Sequence, residues 1–233
     1  MEITPEVTTF GVLAIGFALG LQHATEADHL AAVSTIVSER KNLLIASVVG
    51  GLWGVGHTIS LFAVGVLVIF LKLQISESVE AKLEACVGVM LVLLGLNALR
   101  KLFTASKIHV HSHEHDGHEH IHIHTHNSEQ TNGTHHKLSL RSVVVGMVHG
   151  LAGSAALMLL VVPTIKSETV ALLYILIFGI GSIGGMMAMS FLIGLPFHFT
   201  ANRFDVLNKG IRLIAGVFSL SLGASIIYEK LLA

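Results

Sequence analysis

Two imidazoles and two carboxylates fall within the short block His23-Ala-Thr-Glu26-Ala-Asp28-His29, and two further histidines, His57 and His149, stand in otherwise apolar surroundings. Imidazole nitrogen combined with carboxylate oxygen suits borderline divalent ions such as Ni(II), Co(II), Zn(II) and Fe(II). Magnesium or calcium would favour sites built from oxygen alone. On a soluble surface the block would be ordinary. Here it interrupts a hydrophobic segment, and an ionised group at mid-bilayer costs about 2.5–3.5 kcal/mol on insertion scales. A divalent transition metal is the reason these side chains suggest. On a regular helix, at about 100° per residue, His23, Glu26 and His29 share one stripe and Asp28 projects about 140° from His23. Either Glu26 is the carboxylate ligand, or the backbone is irregular near Ala24–Ala27 and lets His23, Asp28 and His29 converge.

The elements that position these residues follow from composition. Of 233 residues, 52% are hydrophobic and 12% charged, with mean hydropathy +0.75, the balance of a polytopic membrane protein. A spanning helix needs about 20 mostly apolar residues. Six stretches qualify: 7–37, 43–71, 81–103, 140–163, 169–196 and 207–228. Within the first, Phe10 to Leu21 is too short to span alone, and the apolar pattern resumes from Leu30 to Val37. The polar block thus falls near the midplane, His23 lying some 20 Å from Phe10 at about 1.5 Å per residue. His57 and His149 lie roughly 21 and 14 Å into their own helices.

Net charge near zero argues against a nucleic-acid partner. The single Cys86 excludes internal disulfides, zinc ribbons and CxxC redox pairs, and reads as a small buried residue in a helix. Trp53, Phe197 and the methionines Met186, Met187 and Met189 read as packing residues. Met1 to Glu6 lacks the basic n-region of a secretory signal, so the first apolar segment is expected to be retained. Arg40, Lys41, Arg100, Lys101, Lys107, Lys137, Arg141, Arg203, Lys209 and Arg212 fall on one side, against Lys72, Lys82, Lys166 and Lys230 on the other. The positive-inside rule makes the first side cytoplasmic and puts both termini outside.

The halves repeat each other. Gly20-Leu-Gln-His23 matches Gly146-Met-Val-His149, Trp53-Gly-Val-Gly-His57 matches Phe178-Gly-Ile-Gly-Ser182, and Gly88 and Gly95 match Gly216 and Gly223. Three spans per half forces opposite insertion, the inverted repeat of many secondary transporters, whose site lies mid-membrane between the halves. The expected fold is an all-α polytopic membrane protein with six transmembrane helices in two inverted three-helix repeats, 1–103 and 140–233. Ligands concentrate in the first half: where it has Asp28, His29 and His57, the second has Ser154, Ala155 and Ser182.

Between the halves, residues 104–139 carry His109, His111, His113, His115, His118, His120, His122, His124, His126, His135 and His136. Alternating His with Glu, Asp and Thr cannot build a packed core, and the composition reads as a flexible, cytoplasmic metal-binding loop.

Gln22-His-Ala-Thr-Glu-Ala-Asp-His29 resembles the His-x4-Asp-His signature of the nickel/cobalt transporter family, and Gly56-His57-Thr58 resembles that family's Gly-His-Ser/Thr motif. His149-Gly-Leu-Ala-Gly-Ser154 is similar to the shorter, UreH-like branch. Gln22 and Glu26 stand where many members have Arg and Asp, and the family's later Asp-Thr-Ala-Thr-Glu motif is absent. The resemblance covers all six spans and implies that His23, Asp28, His29 and His57 take part in metal selection and passage. The expected function is transport of a divalent transition-metal ion, nickel or cobalt first, at the plasma (inner) membrane, by a site of His23, Asp28, His29, His57, Glu26 and His149. No prosthetic group is implied, only the transported ion. The expected partners are the bilayer, the ion and a cytoplasmic metallochaperone. Export of Zn, Fe or Mn, or metal binding without transport, are the alternatives. No Gly-x4-Gly-Lys nucleotide motif is present, and His-x-x-Glu-x-x-His does not supply the metalloprotease His-Glu-x-x-His, so an enzyme is not expected.

Overall fold

The structure, a computed structural model, describes residues 5–38, 40, 42–72, 76–104, 109–115, 118–124, 134–152, 165, 167–201 and 204–231. Seven helices appear among them: α1 (Pro5–His23), α2 (Ala27–Val37), α3 (Leu43–Leu71), α4 (Glu77–Thr104), α5 (Thr134–Ala152), α6 (Glu168–Thr200) and α7 (Asp205–Leu231). Asn42 starts α3 by accepting from the Leu44 and Ile45 amides at 2.8 and 3.3 Å, and Ser167 caps α6 through the Val170 amide. These caps satisfy amides that have no partner in the first turn of a helix.

Three helices are long and apolar enough to cross a membrane, namely α3, α6 and α7; Thr9–His23, Ala27–Val37 and Leu140–Leu151 are shorter apolar stretches. The distribution of polarity is that of a membrane protein. Large apolar side chains such as Leu44, Ile59, Leu93, Leu192 and Ile214 face outward, while His23, His29, His57 and His149 are buried. Cys86 sits in a helix as expected but is exposed on its surface rather than packed inside it.

The first apolar segment is not one helix. Backbone bonds from Thr25 to the Gln22 carbonyl at 2.8 Å and from Glu26 to the His23 carbonyl at 3.1 Å close α1, and Leu30 bonding to the Glu26 carbonyl at 3.0 Å opens α2. Non-helical backbone at membrane depth is tolerated where it lines a protein cavity and its polar groups are met; here the Thr25 and Glu26 amides and the Thr25 hydroxyl are met.

Two findings depart from an all-helical layout with a structureless loop. Within 104–139 the backbone forms an antiparallel pair, β1 (His109–His115) and β2 (His118–His124). Its register sets His109 opposite His124, His111 opposite His122, His113 opposite His120 and His115 opposite His118. The reason is local: alternation of His with other residues has the period of a strand, and Asp116-Gly117 between the runs is a hairpin signal. In addition, α5 begins at Thr134, ahead of the expected start of the fourth span. Residues 153–163 of that span, including Ser154 and Ala155, lie outside the described residues, as does His126.

Close approach of backbones positions the helices. The most extensive packing joins α4 with α7, α3 with α6, α3 with α5, and α1 with α6. A Cβ on Gly20 would run into the Phe178 carbonyl, and one on Gly146 into the Trp53 carbonyl. Likewise Gly181 abuts the Phe17 carbonyl and Gly56 the Val143 carbonyl. Gly88 lies against the Gly223 carbonyl, and Gly95 against that of Gly216. Each contact turns into another of the set when every residue is replaced by its counterpart in the other half. Small residues let membrane helices approach at backbone distance, where dispersion supplies the attraction.

Candidate metal centre

Four helices deliver one cluster. His23 is the last residue of α1, Asp28 and His29 lie in the first turn of α2, His57 is midway along α3, and His149 is near the end of α5. The four imidazoles are at most 1% exposed. Ring centroids stand 4.3 Å apart for His23–His29, 5.2 Å for His23–His57, 5.4 Å for His29–His57 and 4.1 Å for His29–His149.

The break between α1 and α2 brings both carboxylates to the cluster. Glu26, whose backbone is extended (φ −66°, ψ 151°), makes no capping bond to α2; its Oε1 lies 2.9 Å from His23 Nδ1. Asp28 Oδ1 accepts from the His29 amide at 2.8 Å and lies 2.9 Å from His29 Nδ1, while Oδ2 lies 3.0 Å from His149 Nε2. A carboxylate accepts only, so both of these ring nitrogens donate. That tautomer leaves the lone pairs on His29 Nε2 and His149 Nδ1. Among the described residues, these two atoms and both nitrogens of His23 and of His57 are buried without a hydrogen-bond partner. A buried nitrogen without a partner is costly in an apolar interior. Grouped this closely, such nitrogens could hold a cation.

One ligand atom from each of His23, His29 and His57 lies within 4.8 Å of the others, and the same holds for Asp28, His29 and His149. With metal–nitrogen bonds of about 2.1 Å, two nitrogens on one ion stand at most about 4.2 Å apart, so the cage needs to close only slightly. All six residues expected at the site converge. The two carboxylates make different contacts: Asp28 hydrogen-bonds His29 and His149, and Glu26 approaches His23 without a hydrogen bond to it. Carboxylates behind metal-binding imidazoles fix tautomer and ring orientation. For the histidines of β1 and β2 the structure gives the backbone register alone.

Two aromatic residues complete the walls. Trp53, expected to serve packing, stands beside both His29 and His149 with centroids 5.3 Å from each, and Phe178 stands 5.5 Å from His23. They occupy matching places in the two repeats, a signal already present in the repeat alignment. Ser182, the counterpart of His57, is fully buried and donates to the Gly20 carbonyl at 3.3 Å, serving helix packing instead.

A helical body with an apolar exterior and a buried cluster of imidazoles that could hold a metal ion marks an integral membrane protein with a candidate metal centre. The profile of the family described as high-affinity nickel-transport protein (NicO) matches residues 9–228, and the chain belongs to that family. Urease accessory protein UreH from Bacillus sp. (strain TB-90) is 39% identical over 230 residues, covering 96% of this chain and 93% of its own. Chloroplast protein FOR GROWTH AND FERTILITY 2 of Arabidopsis thaliana is 23% identical over 217 residues, covering 92% of this chain and 55% of its own, so this chain spans about half of it. No solved structure matches.

Proposed function

We propose that this chain carries a divalent transition-metal ion, nickel or cobalt first, across the plasma membrane by alternating access, with the ion held by His23, His29, His57 and His149 and oriented by Asp28 and Glu26. The observation that carries the reading is the set of buried ring nitrogens without protein partners at the break of α1 and α2. Family membership supports it. The exchange of packing contacts between counterpart residues supports an inverted repeat, six spans in all, with the halves 1–103 and 140–233 rocking about the centre. The Lys and Arg distribution supports termini outside and the histidine-rich hairpin in the cytoplasm, where a metallochaperone would collect the ion. An inward-negative potential of 100 mV contributes about 4.6 kcal/mol to a doubly charged ion moving in, so import needs no other energy source. Export would need coupling, such as proton exchange.

The deciding experiment is reconstitution of the full chain in liposomes, with Ni, Co, Zn, Fe and Mn offered separately, with and without a pH gradient. Saturable, potential-driven nickel or cobalt flux is expected, and it should vanish in His23→Ala. Flux that survives His23→Ala unchanged would remove the centre from the pathway. The relative named a urease accessory protein favours a second reading, metal binding without passage; tight binding with no flux of any ion would establish it.

Deletion of residues 109–136 is expected to leave the initial rate within about two-fold while lowering the number of ions bound per chain, since alternating imidazoles supply capacity rather than a single selective site. Equilibrium dialysis against nickel, alongside flux, checks this. Complete loss of flux would make the hairpin part of the pathway.

A further inference from the structure

Outside the centre, Glu84 and Lys230 form an ion pair whose side chains are 21% and 34% exposed. On α4 the apolar run from Ala85 to Leu99 is bounded by Glu84 and Arg100. Its length of about 22 Å falls short of the roughly 30 Å hydrocarbon core. Glu84 is therefore drawn into the apolar zone, where an ionisable residue calls for a partner and a function. Its partner is Lys230 near the end of α7, with Nζ 2.5 Å from Oε2. The pair joins the end of α4 opposite the one that leads to the hairpin.

The pair lines a cavity of about 270 Å³ together with Val87 and Leu222, and Glu26 and Asp28 line the same cavity. It is large enough to admit several waters. Three carboxylates against one ammonium make it attractive to cations. Glu26 and Asp28 are also the carboxylates that contact the imidazole cage.

Resting on the transport reading above, we infer that this cavity is the access vestibule of the metal centre on the outer side, and that Glu84 and Lys230 are its gate. Glu84 releases the Lys230 ammonium in favour of the incoming divalent ion, and the ion then passes to Glu26 and Asp28. Lys230 holds the vestibule shut to weakly bound cations, since only an ion that outcompetes it for Glu84 proceeds.

The test uses the full chain in liposomes with Cys86→Ser as background. Leu222→Cys is expected to react with a membrane-impermeant charged methanethiosulfonate added on the outer side, to be protected by Ni²⁺ alone, and to react faster when Lys230→Met is added. In Ni²⁺ uptake, Glu84→Gln is expected to raise KM about five-fold at little-changed Vmax and Lys230→Met to lower it, the size being that of one partly exposed ion pair. Glu84→Asp should restore most of the affinity. No outer-side reaction of Leu222→Cys, or wild-type KM in both Glu84→Gln and Lys230→Met, overturns the gate while leaving the centre in place. Absence of flux in the unaltered chain, with Leu222→Cys still labelled and protected, overturns transport and leaves the vestibule standing.

Discussion

Asp28→Asn is expected to lower nickel uptake by about 100-fold, the upper range for loss of a group that orients metal-binding imidazoles, while the protein remains folded. The two oxygens of Asp28 face different imidazoles, His29 Nδ1 on one side and His149 Nε2 on the other. An asparagine keeps one carbonyl oxygen and puts an amino group in the other place. Whichever way it turns, one imidazole meets a donor and must move its proton to the far nitrogen. That far nitrogen is the one whose lone pair faces the cage. Glu26→Gln should do much less, about three-fold, because Glu26 approaches His23 alone and makes no hydrogen bond that sets its tautomer. Initial rates of nickel uptake, calorimetric nickel binding and a thermal melt of each variant make the comparison. Equal losses in both variants, or a wild-type rate in Asp28→Asn, would remove the tautomer-fixing role.

How far the sequence disclosed this arrangement depends on whether the cause was local. The limits of α3 were legible to the residue, because an uninterrupted apolar run begins at Leu43 after a capping Asn42 and ends at Leu71. The convergence of His23, Asp28, His29, His57 and His149 was legible too, since polar groups at similar depth in apolar segments have few other places to go. The break after His23 was not fixed by local propensity. Ala24, Thr25 and Glu26 include neither Gly nor Pro, and Ala and Glu favour helix. Tertiary packing decides it, with Ala24 buried in the core and the Thr25 hydroxyl bonding back to the Gln22 carbonyl at 2.6 Å. Trp53 acquires its place in the cage wall only because α5 packs along α3, and Glu84 finds Lys230 only because α4 packs along α7. Such long-range pairings leave no local pattern. The hairpin is the opposite case, for its alternation and its Asp-Gly pair were in plain view and composition alone passed over them.

Gly146→Ala and Gly20→Ala are expected to be among the most damaging single-methyl changes at the described glycines, and to be damaging for the same reason. At each position the new Cβ would meet a backbone carbonyl, that of Trp53 or of Phe178, rather than a side chain able to turn away. Overpacking of this kind costs about 1–3 kcal/mol or more, and with about 2–4 °C per kcal/mol in a chain of this size a fall of about 5–10 °C in apparent Tm follows. Gly11→Ala is the control, since nothing lies within 4 Å of its added methyl; replacing a helical glycine should there be neutral or stabilising by up to about 1 kcal/mol. The functional consequence is larger than the loss of stability. Gly20 and His23 are three residues apart on α1, as are Gly146 and His149 on α5, so each glycine shares a helix face with a cage imidazole. Forcing α1 from α6, or α5 from α3, therefore withdraws an imidazole from the centre, and nickel uptake is expected to be lost in protein that still elutes as a folded species from a sizing column in detergent. The two variants also bear on the relation between the halves. If counterpart glycines set counterpart helix distances, the two melts should shift together; a chain that tolerates Gly20→Ala and not Gly146→Ala would hold its cage by one helix pair alone.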